Sequence, residues 1–231
     1  MNVVKKIIHP NFNKPRTLYN DFMLLELGSS VDTDYFPPIN LNFDSKQPSN
    51  GDMLTAIGFG ITAEEGEPAK ILQKVDVPTV SREECKSVYG RMVDDDVSLC
   101  AGFDSGGKDG CAGDSGGPIF ERINGVITQV GVTSWGIGCA RPGYPGVYSR
   151  VSGIDYWLRE NICKKSHDPK PSYCSSSEAQ RSTPSPASPQ PTKPPTSSPT
   201  KKPTRTPTIS PTLKPQLTPS PTGPPTPNPT Q

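Results

Sequence analysis

Short apolar runs, each closed off by Gly, Pro or Asn, dominate the first 150 residues of the chain. Residues 3–8, 22–25, 53–59, 71–80, 118–122, 126–135 and 146–151 all have strand-like composition and are bounded by turn residues. That spacing predicts an all-β barrel or sandwich. Two helices interrupt it. Ser81-Arg82-Glu83-Glu84 has the form of a capping box opening a short helix that carries Cys85. Ser152 is placed to cap a second helix, in which Ile154, Trp157, Leu158 and Ile162 share one face. The pattern fades from about Ser166, which predicts a globular domain over 1–165, a connecting segment over 166–180 and a tail over 181–231.

Composition sharpens that boundary. Of the 29 prolines, 17 lie in 181–231, where Pro, Ser and Thr make up 36 of 51 residues and no residue is acidic. So few apolar side chains cannot offset the entropy of ordering a backbone, so the tail is expected to be disordered. It reads either as an O-glycosylated stalk or as an unmodified linker. What remains has room for one modest core but not for two full barrels. Charge divides at the same place: residues 1–180 carry a net −5 and the tail +6, which average to the formal +1. A mildly acidic domain offers no electrostatic attraction for nucleic acid, and the tail is too dilute in Lys and Arg to bind it specifically.

The six cysteines all precede the tail and include no C-x-x-C pair. Cys163 and His167 have ligand-like spacing, but no two further ligands accompany them, so disulfides are favoured over a metal. Neither a metal nor a cofactor is expected. Disulfides imply an oxidising compartment. The first ten residues nevertheless hold no apolar run of signal-peptide length, and no segment reaches the length of a membrane span. No Asn-x-Ser/Thr acceptor occurs, since Pro229 follows Asn228. The expectation is an extracellular or secretory-pathway protein whose export signal was lost with the N-terminus, Met1 being either the true start or an internal methionine.

The sharpest chemical signal is Gly113-Asp114-Ser115-Gly116-Gly117-Pro118. Six specified residues arise by chance roughly once in 10⁴–10⁵ chains of this length. The string resembles the nucleophile motif of trypsin-like serine proteases, and the resemblance runs over about residues 3–163. The segment from Tyr19 to Leu27 is similar to the family's stretch around the triad aspartate. Ser134-Trp135-Gly136-Ile137-Gly138-Cys139-Ala140 and Pro145-Gly146-Val147-Tyr148 resemble its substrate-cleft strand and the strand closing the specificity pocket. The resemblance implies the second barrel of a double-barrel protease, the last strands of the first barrel, and a C-terminal helix.

Roles follow from the resemblance. It implies that Ser115 is the nucleophile and Asp21 the carboxylate orienting a histidine, at close to the ~90-residue separation of that template. It implies an oxyanion hole from the N–H groups of Gly113 and Ser115. Asp109 matches the carboxylate at the base of a trypsin-type pocket, which would pair a substrate Lys or Arg. Gly136 and Gly146 match the pocket walls, and Ser134 and Trp135 the strand lining the cleft. Cys111–Cys139 and Cys85–Cys100 match family disulfides, which leaves Cys163 and Cys174, outside the family core, to pair with each other. A family bridge is absent, since Leu54 and Glu121 occupy its places.

One departure outweighs these matches. The template puts the catalytic His roughly 40–50 residues before the Asp, and only 20 residues precede Asp21. His9 and His167 both read as solvated surface residues. Without a base a serine hydroxyl is a poor nucleophile, so the chain is expected to be an inactive, N-terminally truncated endopeptidase of Lys/Arg specificity. Polypeptide substrates or inhibitors are the expected partners. The alternatives are a non-catalytic protease homologue acting as an extracellular protein-binding module, and a matrix or cell-wall protein whose tail is the functional part. Two further expectations attach to the truncation: Asp114 left as an unpaired buried charge, and an apolar patch exposed on the first-barrel strands.

Overall fold

The computed structural model describes residues 1–164 and 171–174. The tail expected over 181–231, most of the connecting segment and His167 lie outside the described residues. Nine strands and two helices occur in the order β1 (Val3–Ile8), β2 (Met23–Leu27), β3 (Asn40–Leu41), β4 (Met53–Gly58), β5 (Gln73–Val80), α1 (Arg82–Tyr89), β6 (Ser98–Ala101), β7 (Pro118–Ile123), β8 (Val126–Trp135), β9 (Gly146–Arg150) and α2 (Asp155–Cys163).

Six strands close into an antiparallel barrel in the order β8-β7-β4-β5-β6-β9, with β9 returning to β8. β8 can serve two neighbours because it is ten residues long. Its first part pairs with β7 from Val126 to Val132, and its last part with β9 from Gly131 to Trp135. The short β3 adds in parallel to β8.

Alternation along the strands fills the barrel. Leu54 and Ala56 of β4, Val77 of β5, Leu99 and Ala101 of β6, Ile119 of β7, Val130 of β8 and Tyr148 of β9 form one core. β9 is buried along its whole length. Its other face meets α1, where Cys85, Tyr89, Val93, Cys100 and Val147 pack together. Ser81 caps α1, its Oγ accepting from the N–H of Glu84 at 3.1 Å. The Cys85–Cys100 disulfide ties α1 to β6 across 15 residues, a closure that stabilises by about 3 kcal/mol in the chain-entropy account. Cys111–Cys139 and Cys163–Cys174 are also bonded.

α2 packs Trp157 and Leu158 with Phe22, Val151 and Ile154, and with Ile7 and Leu24 of the β1–β2 pair. The cap expected at Ser152 is not used. A 3₁₀ turn over Val151–Ile154 precedes α2, Ile154 occupies the cap position without a side-chain bond, and Ser152 Oγ is buried with no partner. The tight turn carries the chain from β9 into the helix, so tertiary packing overrides the capping preference.

β1 and β2 pair only with each other. Ile7 opposite Leu24 faces the α2 cluster, while Ile8, Met23, Leu25 and Leu27 stay 40–58% exposed.

Candidate active site

Ser115 sits in the turn between Cys111 and β7, exposed to solvent. The turn is wound tightly by its own backbone. Asp114 N–H donates to Cys111 O, Gly116 N–H to Thr133 O and Gly117 N–H to Asp114 O. The N–H groups of Gly113 and Ser115 have no acceptor among the described residues. Gly113 has φ +97°, and a Cβ there would lie 3.0 Å from Gly60 Cα. Only glycine meets both conditions. The two free N–H groups flank the nucleophile candidate, the arrangement that stabilises charge developing on a carbonyl oxygen.

The carboxylate of Asp114 is not an unpaired buried charge, contrary to the sequence expectation. Its Oδ1 accepts from Gly60 N–H at 2.8 Å and its Oδ2 from Cys111 N–H at 2.9 Å. The side chain lies so close to Gly58 that a Cβ at that position would come within 2.1 Å of Oδ1. Two backbone N–H groups hold the carboxylate in place.

Asp109, Ser115, Ser134, Trp135, Gly136 and Gly146, from three separate stretches of sequence, line one cavity of about 350 Å³. Asp109 is at its inner end. Its Oδ2 accepts from Ala140 N–H at 3.0 Å. Burial pushes its pKa above the ordinary aspartate value, offset in part by the N–H groups of Ala140 and Gly110. A Cβ on Gly146 would stand 2.5 Å from Asp109 Oδ1, whereas one on Gly136 would meet only Gly138 O at 3.4 Å. The inner wall is therefore closed to any larger residue and the mouth is open. Cys111–Cys139 bonds the two walls together. Trp135 is set by Tyr89 of α1, edge-on at 4.9 Å, whose hydroxyl donates to Pro145 O.

Asp21 precedes β2 at the end of a long loop. Asn13 Oδ1 accepts from Leu18 N–H, and Asn20 Nδ2 donates to Asn11 O and Lys14 O. Asn13 and Asn20 take up positive φ, which Asn tolerates better than most residues. Tyr19 and Phe22, both buried, flank Asp21, and the Tyr19 hydroxyl donates to Val93 O at 3.0 Å. So anchored, Asp21 Oδ2 accepts from Ser134 Oγ at 2.7 Å. This bond joins the N-terminal loop to the cavity wall.

His9 is not a solvated surface residue. It is 9% exposed and packs edge-on against Trp157 with centroids 4.9 Å apart. Its Nδ1 accepts from Asn11 N–H at 3.3 Å, so a neutral ring carries its proton on Nε2. Burial lowers its pKa. The apolar face of α2 recruits the ring, which residue type alone does not reveal.

Two further site groups escaped the sequence reading. Tyr148 is buried, its hydroxyl beside Gly110 and Gly146 at the inner end of the cavity, and burial raises its pKa. Glu64, in the β4–β5 loop, bonds Cys139 and Arg141 at the cavity rim. The Tyr148 position was open to inference from the pocket strand; nothing local marks Glu64. Among the described residues no cluster of His, Cys, Asp or Glu could hold a metal, and no helix is long and apolar enough to cross a membrane.

The sequence matches the Trypsin family over residues 1–158. Trypsin-1 of Astacus astacus is 43% identical over 162 residues, which span 70% of this chain and 67% of the relative. Trypsin 5G1 of Aedes aegypti is also 43% identical, over 68% of this chain and 58% of its own length. Serine protease 56 of Homo sapiens is 37% identical over 68% of this chain and 27% of its own length. The chain thus spans between about a quarter and two thirds of these curated relatives.

Proposed function

The chain belongs to the trypsin family of serine proteases, and from that premise we propose that it holds the nucleophile and the specificity pocket of an endopeptidase acting after Lys or Arg. The observation that carries the reading is the half-buried Asp109 lining the same cavity as Ser115. A Lys or Arg side chain entering there meets a carboxylate already held by Ala140 N–H, and pairs with it by charge-assisted hydrogen bonds. The carbonyl that follows is then presented to Ser115 Oγ, with the Gly113 and Ser115 N–H groups as the oxyanion hole. Ser134, Trp135 and Gly136 border the substrate backbone, and Gly146 keeps the inner wall open.

Asp21 is the orienting carboxylate, yet its partner here is Ser134 Oγ and not an imidazole. Of the two histidines in the sequence, His9 is held against Trp157, and His167 lies outside the described residues. We therefore read this 231-residue chain as one that binds cationic side chains without turning substrate over. Its proteolytic domain ends near residue 165, and 181–231 is an appended tail able to carry O-glycans. The three disulfides fit an extracellular protein.

The test has two arms on the full chain. Benzamidine, an aryl amidine, measures the pocket, and a serine-directed phosphonylating reagent titrates Ser115. Binding without stoichiometric labelling is expected. Labelling with turnover of a Lys or Arg ester would refute inactivity, and no amidine binding would refute the cation pocket. The same expected result fits a non-catalytic binding module, which a protein ligand displaced by benzamidine would distinguish.

A further inference from the structure

The 59–69 loop between β4 and β5 is fastened at both ends of the site. At its base, Gly60 N–H donates to Asp114 Oδ1 and Ile61 N–H to Ala112 O at 2.9 Å, both in the nucleophile turn. At its tip, Glu64 Oε1 accepts from Cys139 N–H at 2.6 Å and from Arg141 Nε at 2.8 Å, and Oε2 accepts from Arg141 Nη2 at 3.1 Å. The cavity wall is wrapped closely around that carboxylate. Gly138 has φ +71°, and a Cβ on it would come within 2.2 Å of both Glu64 Oε1 and Arg141 Nε.

One residue further on, Ala140 N–H donates to Asp109 Oδ2. Consecutive N–H groups of the same wall therefore serve two carboxylates, Glu64 on the outside and Asp109 at the inner end of the cavity. We propose that Glu64 is a positioning residue for the cation pocket, holding the Cys139–Ala140 backbone so that Ala140 N–H stays on Asp109. The inference rests on the reading of Asp109 as the cation site. Arg141 contributes by orienting the Glu64 carboxylate through a bidentate contact. Arg141 and Cys139 N–H together hold the Glu64 carboxyl below the usual range. The competing device is the Cys111–Cys139 disulfide, which could hold the wall by itself.

Benzamidine affinity of the full chain decides between the two. Glu64→Ala should raise Kd about fivefold to tenfold, the scale of one ordinary hydrogen bond, because the loss reaches the pocket only through the wall. Arg141→Ala should give a smaller rise, and the double variant no more than Glu64→Ala alone, because the two residues act as a unit. Glu64→Gln, whose amide oxygen still accepts from Cys139 N–H, should restore affinity to within about threefold of the original chain. Lys86→Ala, which breaks the exposed pair with Asp95, is the control and should change nothing. Asp109→Asn separates the two readings. If it abolishes binding while Glu64→Ala leaves Kd unchanged in a protein of unaltered melting temperature, the disulfide suffices and the inference is overturned. If Asp109→Asn has no effect, or the original chain binds no amidine, the cation-pocket reading falls and the inference with it.

Discussion

The six-stranded barrel and the β1–β2 pair are built from similar sequence and end in opposite states. Leu54 on β4 is fully buried, while Leu25 on β2 is 48% exposed. Both lie in short apolar strands between turn residues. The barrel closes on itself, so inward side chains from all six strands share one core. The pair has one face on α2 and, among the described residues, no layer over the other. Apolar patterning thus states which residues seek cover, and closure decides which obtain it.

That contrast extends to chemistry. The barrel and its loops hold Asp109, Ser115, Ser134 and the cavity between them, whereas the N-terminal region contributes Asp21 through one bond to Ser134. The proposed specificity is built on the closed part, and the proposed orienting carboxylate, Asp21, hangs on the open part.

The largest effect should come from opening the barrel core. Leu54→Ala should cost about 3–5 kcal/mol in chemical denaturation, as for other fully buried leucines, and a cost below ~1 kcal/mol would deny that closure supports the fold. Next, Gly146→Ala should reduce benzamidine affinity about 100-fold, since its Cβ would strike Asp109 Oδ1 and displace the carboxylate from a buried charge pair. Melting temperature should change little if that loss is confined to the pocket.

A milder effect concerns pH. A cation binds the ionised Asp109, whose pKa is raised by burial in the free protein. Affinity should be full above that raised pKa and fall about tenfold per pH unit below it, beginning at a higher pH than an ordinary aspartate would give. Titration of benzamidine Kd between pH 3 and 8, as an approximate range covering carboxylate ionisation, checks this, and Asp109→Asn should flatten the profile. The smallest stability change should follow Leu25→Ser on the open face, within about 0.5 kcal/mol. Its signature is reduced self-association by light scattering, because exposed apolar faces associate.

Most strands were legible because period-two alternation and Gly, Pro or Asn turns are local signals. β1 and β8 begin and end where the pattern places them. β6 was not legible. Its four residues, Ser98–Ala101, are too short to show a period, yet they bridge β5 to β9 and close the barrel. The α1 cap was legible since Ser81 and Glu84 lie in one turn. The cap at Ser152 failed because the chain leaves β9 through a 3₁₀ turn set by packing. The site divided likewise: the Gly113–Pro118 string marked Ser115 through its family resemblance, but Trp157 against His9 and the Gly60 donor on Asp114 come from residues distant in sequence.

By itself the sequence determined an all-β domain, its family resemblance, a C-terminal stretch poor in apolar residues, and a candidate set centred on Ser115 and Asp109. The first and third rest on periodicity and composition, and the candidate set on what the resemblance implies; none needs knowledge of contacts. Only the tertiary structure decided that Asp114 is met by backbone N–H groups, that His9 is packed under α2, and that Glu64 grips the wall behind Asp109. Each of those depends on a partner about 50 to 150 residues away, brought near by barrel closure or helix docking, and one-dimensional patterns carry no record of such meetings.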